Sequence, residues 1–129
     1  MSPDQVNLDI YAAVIIPGGR GPDKMRLNEG LVDIVKEVNK KGLVIAAVCH
    51  APQVLIEADI VRGRTMTSWP SVRTDLKNAG ANVVDQSAVI DGNIVTSRRP
   101  SDLPDFCKTT ISLLHKVQDS KSKVSSIPA

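Results

Sequence analysis

The segment Leu43–Gln53, LVIAAVCHAPQ, constrains this chain more than any other. Leu43 to Val48 is an unbroken apolar run, the pattern of a strand covered by protein on both faces. The run stops at Cys49-His50, Pro52 follows, and a helical pattern resumes at Gln53. A strand that ends in a nucleophile-capable residue and turns sharply into a helix has the outline of a nucleophile elbow. The lettering is A-x-C-H-x-P rather than G-x-S-x-G, so the familiar hydrolase motif is absent but its geometry is available. Such a turn holds the side chain at its tip off the sheet, and the next backbone amide can face an oxyanion. The competing reading makes Cys49 a small buried hydrophobe. His50 does not decide between them: strand neighbours point to opposite faces, although at a sharp turn adjacent side chains converge.

The remaining bounds are ordinary ones. A chain of 129 residues predicts one domain. Charged residues make up 23% and hydrophobic ones 42%, a globular composition. Tyr11, Trp69 and Phe106 are the only aromatic residues, so the core has to be built from Val, Ile, Leu and Ala. A net charge of +2 without a basic, aromatic-laced stripe argues against nucleic acid. The apolar runs are too short to span a membrane, and no secretory leader opens the chain. Two cysteines, Cys49 and Cys107, make no disulfide framework, so a reducing, cytoplasmic setting is expected. With two histidines and no second cysteine near Cys49, neither zinc nor any other metal or cofactor is expected.

Ile10–Ile16 is a second buried-strand candidate, ending in Pro17-Gly18-Gly19-Arg20-Gly21-Pro22. That turn lacks both the dinucleotide fingerprint and the Lys-Ser/Thr of a P-loop. Its glycines suit a close backbone approach to a reacting oxygen. Leu27–Lys41 predicts a helix with Leu27, Leu31, Ile34, Val35 and Val38 on one face, Asn28 as N-cap and Gly42 beyond the end. Shorter helices are expected over Gln53–Ala58 and Ser71–Ala79, and brief strands over Thr65–Ser68 and Asn82–Asp85. Asp91-Gly92-Asn93 between Val89-Ile90 and Ile94-Val95 is a hairpin signal. A last helix, capped by Ser101 or Asp102, turns Phe106, Cys107, Thr110, Ile111, Leu114 and Val117 inward. Gln118–Ala129 is expected to be an unstructured tail. Alternating apolar strands and helices predict an open, mostly parallel sheet sandwiched by helices in a flavodoxin-like arrangement, with a small antiparallel hairpin near its edge. Both the Gly-Gly and the Cys-His turn fall at carboxyl ends of strands, where such sheets bind ligands.

Five blocks in order, Y-A-A-V-I-I-P-G-G-R-G-P-D, R-L-N-E, A-A-V-C-H-A-P-Q, R-G-R-T-M-T-S-W-P and D-G-N-I-V-T-S-R-R-P-S-D-L-P, resemble the ThiJ/PfpI superfamily. The nearest branch is that of the PfpI-type intracellular cysteine proteases, within the class I glutamine-amidotransferase-like fold. The resemblance runs from about Ile10 to Leu114. It implies Cys49 as the elbow nucleophile, His50 as its base, and Asp23 where relatives carry a Glu that orients that histidine across a subunit contact. It also implies Gly19 and the His50 amide as the oxyanion hole, and a homodimer or hexamer as the assembly. Relatives carry an upstream segment that supplies a central strand and a Glu bonded to the cysteine. Only Met1–Asp9 precede Ile10 here, and no residue takes that Glu's place. The Leu43–Val48 strand is therefore expected to lack a neighbour. A fragment or mis-started frame, a sheet completed by another chain, and a degenerate member stand as alternatives; the completed sheet is favoured for a well-ordered protein.

The implied chemistry is attack by a Cys49 thiolate on a carbonyl, its pKa lowered by a helix N-terminus and a protonated His50. A peptide substrate gives hydrolysis. A 2-oxoaldehyde or a glycated group gives a hemithioacetal and then a hydroxy acid. The alternatives are a redox-sensing cysteine in a stress-response or chaperone protein, and an inactive truncated member. Cys107 is read as core and His115 as a helix-end cation. Trp69 is either pocket lining or packing. Arg98 and Arg99 are read as surface residues, with contact to substrate or to a partner subunit as the other use.

Overall fold

The structure, a computed structural model, describes residues 13–125. Four strands form the main sheet: β1 (Ala13–Ile16), β2 (Val44–Val48), β5 (Ala88–Asp91) and β6 (Ile94–Ser97). They lie in the order β1-β2-β6-β5. β1, β2 and β6 run parallel, and β5 returns antiparallel to β6 through the expected hairpin. Gly92 supplies the positive φ of 59° at that turn. A second, two-stranded parallel sheet pairs β3 (Thr65–Met66) with β4 (Asn82–Val83). The mostly parallel α/β sandwich is thus the fold. Of the strand expected over Ile10–Ile16, Ile10, Tyr11 and Ala12 lie outside the described residues.

β2 is buried along its whole length because it feeds two layers. Ile45 and Ala47 pack with Val32, Val35 and Val38 of α2 (Glu29–Lys40), Val54 and Leu55 of α3 (Pro52–Glu57), and Leu76 of α4 (Arg73–Asn78). Val44, Ala46 and Val48 face the opposite way, onto Val95 and onto Phe106 and Leu113 of α5 (Leu103–Ser125). Period-two alternation within a continuous apolar run accounts for this division. Each such side chain contributes about 1.5–3 kcal/mol on burial.

The approach to β2 is set by the end of α2. The Leu43 N–H donates to the Val38 carbonyl and the Gly42 N–H to the Asn39 carbonyl, each at 3.0 Å, with Gly42 at φ 72°. This paired closure needs a left-handed residue, which glycine provides without strain. At the other end Asn28 Oδ1 accepts the Leu31 N–H at 3.2 Å, as expected of an N-cap.

Four expectations require correction. β2 does not lack a neighbour: β1 and β6 flank it, and among the described residues β1 and β5 are the edge strands, with Ile15 of β1 60% exposed. Order along the chain does not fix order across a sheet. The α2 face is Val32, Val35 and Val38, and Leu27 is 82% exposed, because the helix begins at Glu29 and Leu27 precedes it. On α5 the inward stripe is Phe106, Thr110 and Leu113, at four- and three-residue spacing, so Cys107 and Ile111 fall one position off it and are exposed. Finally, α5 continues past Gln118 to Ser125, since a polar Lys/Ser/Gln composition does not by itself stop a helix. Among the described residues, no helix is long and apolar enough to cross a membrane.

Candidate active site

The carboxyl ends of β1, β2 and β6 lie side by side, Ile16 beside Ala47 and Val48 beside Ser97. Cys49 is the first residue past β2 and stands at φ 60°, one of two non-glycine residues with positive φ among the described residues. Its backbone is held on both sides. The Cys49 N–H donates to the Ser97 carbonyl at 3.1 Å, and its carbonyl accepts the Trp69 N–H at 2.9 Å. The Ala51 N–H closes the turn on the Val48 carbonyl at 3.0 Å, and Pro52, whose fixed φ suits a first helical position, opens α3. A left-handed residue with a Cβ costs roughly 1–3 kcal/mol and persists only where its surroundings impose it.

Gly18, past the end of β1, packs against this turn. A Cβ at Gly18 would lie 2.7 Å from Cys49 Cβ and 3.2 Å from Cys49 Sγ. Gly18 therefore packs directly on the Cys49 side chain, and Gly19 continues at φ 79° with open space where a side chain would lie. Sequence reasoning named Gly19 alone; the glycine whose missing side chain permits the approach is Gly18. Among the described residues the His50 backbone N–H makes no hydrogen bond, so it is free for an acceptor at the elbow.

His50 is half-buried. Its ring stacks on Trp69 with centroids 5.7 Å apart and planes 25° apart, and its Nε2 lies 3.5 Å from Ser71 Oγ. The Trp69 loop is tied down by its bond to Cys49 and by the Thr67 N–H, which donates to Thr96 Oγ1 at 3.0 Å. Trp69 thus covers the imidazole, and Ser71 is a neighbour that sequence reasoning missed. Asp23 sits in the first turn of α1 (Gly21–Met25), exposed, with no hydrogen bond or ion pair to the described residues.

Behind the elbow lies an ion-pair cluster. Asp102, 6% exposed, accepts from Arg98 Nε at 2.9 Å and Nη2 at 3.0 Å. Arg98 Nη1 reaches Asp85 at 3.0 Å, and Asp85 also takes Arg73 Nη2 at 2.8 Å. The bond from Arg98 holds the Asp102 carboxyl below the ordinary carboxylate value. Arg98, half-buried, is therefore committed to two carboxylates of its own chain, and Asp102 serves it rather than capping α5 through its side chain.

Cys49 is 7% exposed. Burial pushes its thiol above the ordinary value, Asp102 adds to that, and Arg99 opposes it. This corrects the expectation of a thiol lowered within the chain. α3 is only six residues long, and desolvation of the sulfur disfavours its charged form. Among the described residues no three His, Cys, Asp or Glu side chains cluster as metal ligands would.

Comparison with known proteins adds the following. The model of the DJ-1/PfpI family matches residues 1–113. A protein named a deglycase from Pyrococcus abyssi is 44% identical over 111 residues, which cover 86% of this chain and 67% of that protein. The deglycase PfpI of Pyrococcus furiosus is 42% identical over the same shares. This chain thus spans about two thirds of the length of these relatives. Among solved structures, a two-domain protein from Anabaena variabilis with DJ-1/ThiJ/PfpI-like and ferritin-like domains superposes with a TM-score of 0.85 at 44% identity, covering 88% of this chain and 32% of that one. Drosophila melanogaster DJ-1beta superposes at 0.79 and 34% identity, covering 95% and 68%.

Proposed function

Because the chain belongs to the DJ-1/PfpI family, we propose that it is a cysteine-dependent enzyme of the deglycase and hydrolase kind, with Cys49 as nucleophile. The observation that carries this reading is the left-handed Cys49 at the end of β2, with Gly18 packed against its side chain. Strain of that kind at a strand end is how an elbow presents a side chain. That relatives are named deglycases supports a glycated group or a small carbonyl compound, rather than a peptide, as the substrate of this chain.

With a 2-oxoaldehyde, the Cys49 sulfur adds to the aldehyde carbon as His50 takes the thiol proton. The carbonyl oxygen becomes an oxyanion facing the amides of Gly19 and His50, each such donor being worth roughly 3 kcal/mol of barrier. Protonation of that oxygen gives a hemithioacetal. Transfer of the proton on the former aldehyde carbon to the neighbouring carbonyl carbon gives a thioester. Water then hydrolyses it to a 2-hydroxy acid and returns the thiol. The net change is addition of one water, with no external oxidant. Asp23 of a second copy would orient His50 in a homodimer or hexamer, consistent with its exposure and lack of partners among the described residues.

The test is conversion of methylglyoxal to lactate by the wild type and by Cys49→Ala. The expected result is turnover that Cys49→Ala abolishes; equal rates in the two proteins would overturn the proposal.

A further inference from the structure

Resting on that reading, we propose that Arg99 is the anion-binding residue of the Cys49 site, taking the carboxylate of a small carbonyl acid beside the thiol. The argument begins with two adjacent arginines in opposite situations. Arg98 spends its guanidinium on Asp102 and Asp85, and Asp85 is shared with Arg73. The Arg99 side chain makes no hydrogen bond or ion pair among the described residues, and its Nε is inaccessible to solvent and unpartnered. A buried guanidinium N–H without an acceptor is unfavourable and is relieved when one arrives.

Its place in the fold says where that acceptor would lie. Arg99 is two residues beyond Ser97, whose carbonyl holds the Cys49 amide. Its backbone is extended, φ −158° and ψ 167°, and leads into the 3-10 turn Pro100–Asp102 at the same end of the sheet. The Arg99 charge is felt at the Cys49 sulfur, where it opposes Asp102. Arg99 acts on the Asp102 and Asp85 carboxylates as well, but forms an ion pair with neither, whereas Arg98 is paired with both. A guanidinium presents its donors in a planar fork that fits a carboxylate. The substrate class that fits is therefore a 2-oxoaldehyde carrying a carboxylate on its keto carbon, which keeps the carbonyl carbon that receives the shifted proton.

The test uses two alkylating reagents of nearly the same shape, iodoacetate and iodoacetamide, which differ in charge. Each forms a thioether with release of iodide, and neither needs turnover. Peptide mass analysis reads Cys49 and the exposed Cys107 in one molecule, Cys107 serving as internal reference. The iodoacetate-to-iodoacetamide rate ratio at Cys49, divided by that at Cys107, is expected to fall about tenfold in Arg99→Gln, the effect of removing one partly screened charge nearby. Arg99→Lys, which keeps the charge, should retain most of it. A ratio unchanged in Arg99→Gln would overturn the assignment while leaving Cys49 as nucleophile. Failure of Cys49 to take either reagent, with Cys107 alkylated normally, would remove the nucleophile and Arg99's role together.

Discussion

Gly18 and Cys49 are in backbone-to-side-chain contact across two strands: a methyl on the first would sit 2.7 Å from the Cβ of the second. Neither side can yield cheaply. Cys49 is fixed by the Ser97 carbonyl and the Trp69 amide, and Gly18 follows directly from β1, which is registered on β2. Gly18→Ala should therefore destabilise the fold by about 1–3 kcal/mol, as overpacking does. It should also lower turnover more than Gly19→Ala, since a methyl at Gly19 meets nothing within 4 Å. The positive φ of Gly19 makes its own substitution a strain test rather than a clash test. Urea melts and methylglyoxal turnover on the two variants separate these effects. Equal turnover losses would show that the contact does not govern the sulfur's position.

The left-handed backbone at Cys49 yields a prediction with an unusual sign. At most buried positions glycine is less stable than alanine, because the unfolded chain gains freedom. At Cys49 the alanine keeps the Cβ strain and the glycine releases it. Cys49→Gly is therefore expected to be more stable than Cys49→Ala, by about 1 kcal/mol. Denaturant midpoints at constant slope measure this difference. A glycine variant weaker than the alanine one would mean that the elbow relaxes without the side chain and stores no strain.

The elbow was legible in the sequence because a buried strand ending in Cys-His-Ala-Pro leaves little choice of turn. The hairpin at Gly92 and the cap at Asn28 were legible for the same local reason. Long-range relations were not. Nothing in the run Leu43–Val48 says which strands flank it, and among the described residues the edges fall on β1 and β5, not on β2. The Arg98–Asp102 clamp is only four residues long, yet its importance depends on Asp102 being buried behind the elbow. That burial comes from β6 ending beside β2, a tertiary fact. The raised Cys49 thiol was missed similarly: a helix follows it in sequence, but desolvation by the packed sheet ends outweighs six residues of helix. On α5, choosing Cys107 rather than Leu113 as an inward residue shifted the stripe by one position, about 100° around the helix.

Asp102 makes stability depend on pH in a definite direction. Arg98 depresses its carboxyl in the folded chain, against about 3.9 in an unfolded one. A carboxyl depressed on folding contributes in full above the unfolded value and loses that contribution as pH falls through the folded one. Wild-type stability should accordingly drop below about pH 4. Asp102→Asn should be weaker at pH 7 by about 2 kcal/mol, the scale of hydrogen bonds to a charged group. It should also show a shallower acid decline. Thermal melts of both proteins between neutral and acidic pH check this, and parallel declines would assign the acid sensitivity elsewhere. Asp85 is lowered in the same direction, but its exposure to water leaves it a minor contributor.

Asp23 gives the most searching test of the assembly, because within the chain it makes no hydrogen bond or ion pair to the described residues, His50 included. It is exposed on α1, and within the chain the His50 ring is accompanied by Trp69 and Ser71 instead. If Asp23 of one copy orients His50 of another, Asp23→Asn should lower turnover by about 100-fold, the scale of lost acid–base positioning. It should leave the melting temperature nearly unchanged. Mixing then distinguishes a residue acting across the contact from one acting at home. In a symmetric dimer each site would take Cys49 and His50 from one subunit and Asp23 from the other. A heterodimer of Cys49→Ala and Asp23→Asn subunits contains one site with all three intact. Random reassociation of equal amounts should therefore restore about a quarter of wild-type activity from two inactive parents. If Asp23 served its own subunit, every site in that mixture would carry one lesion and no activity would return.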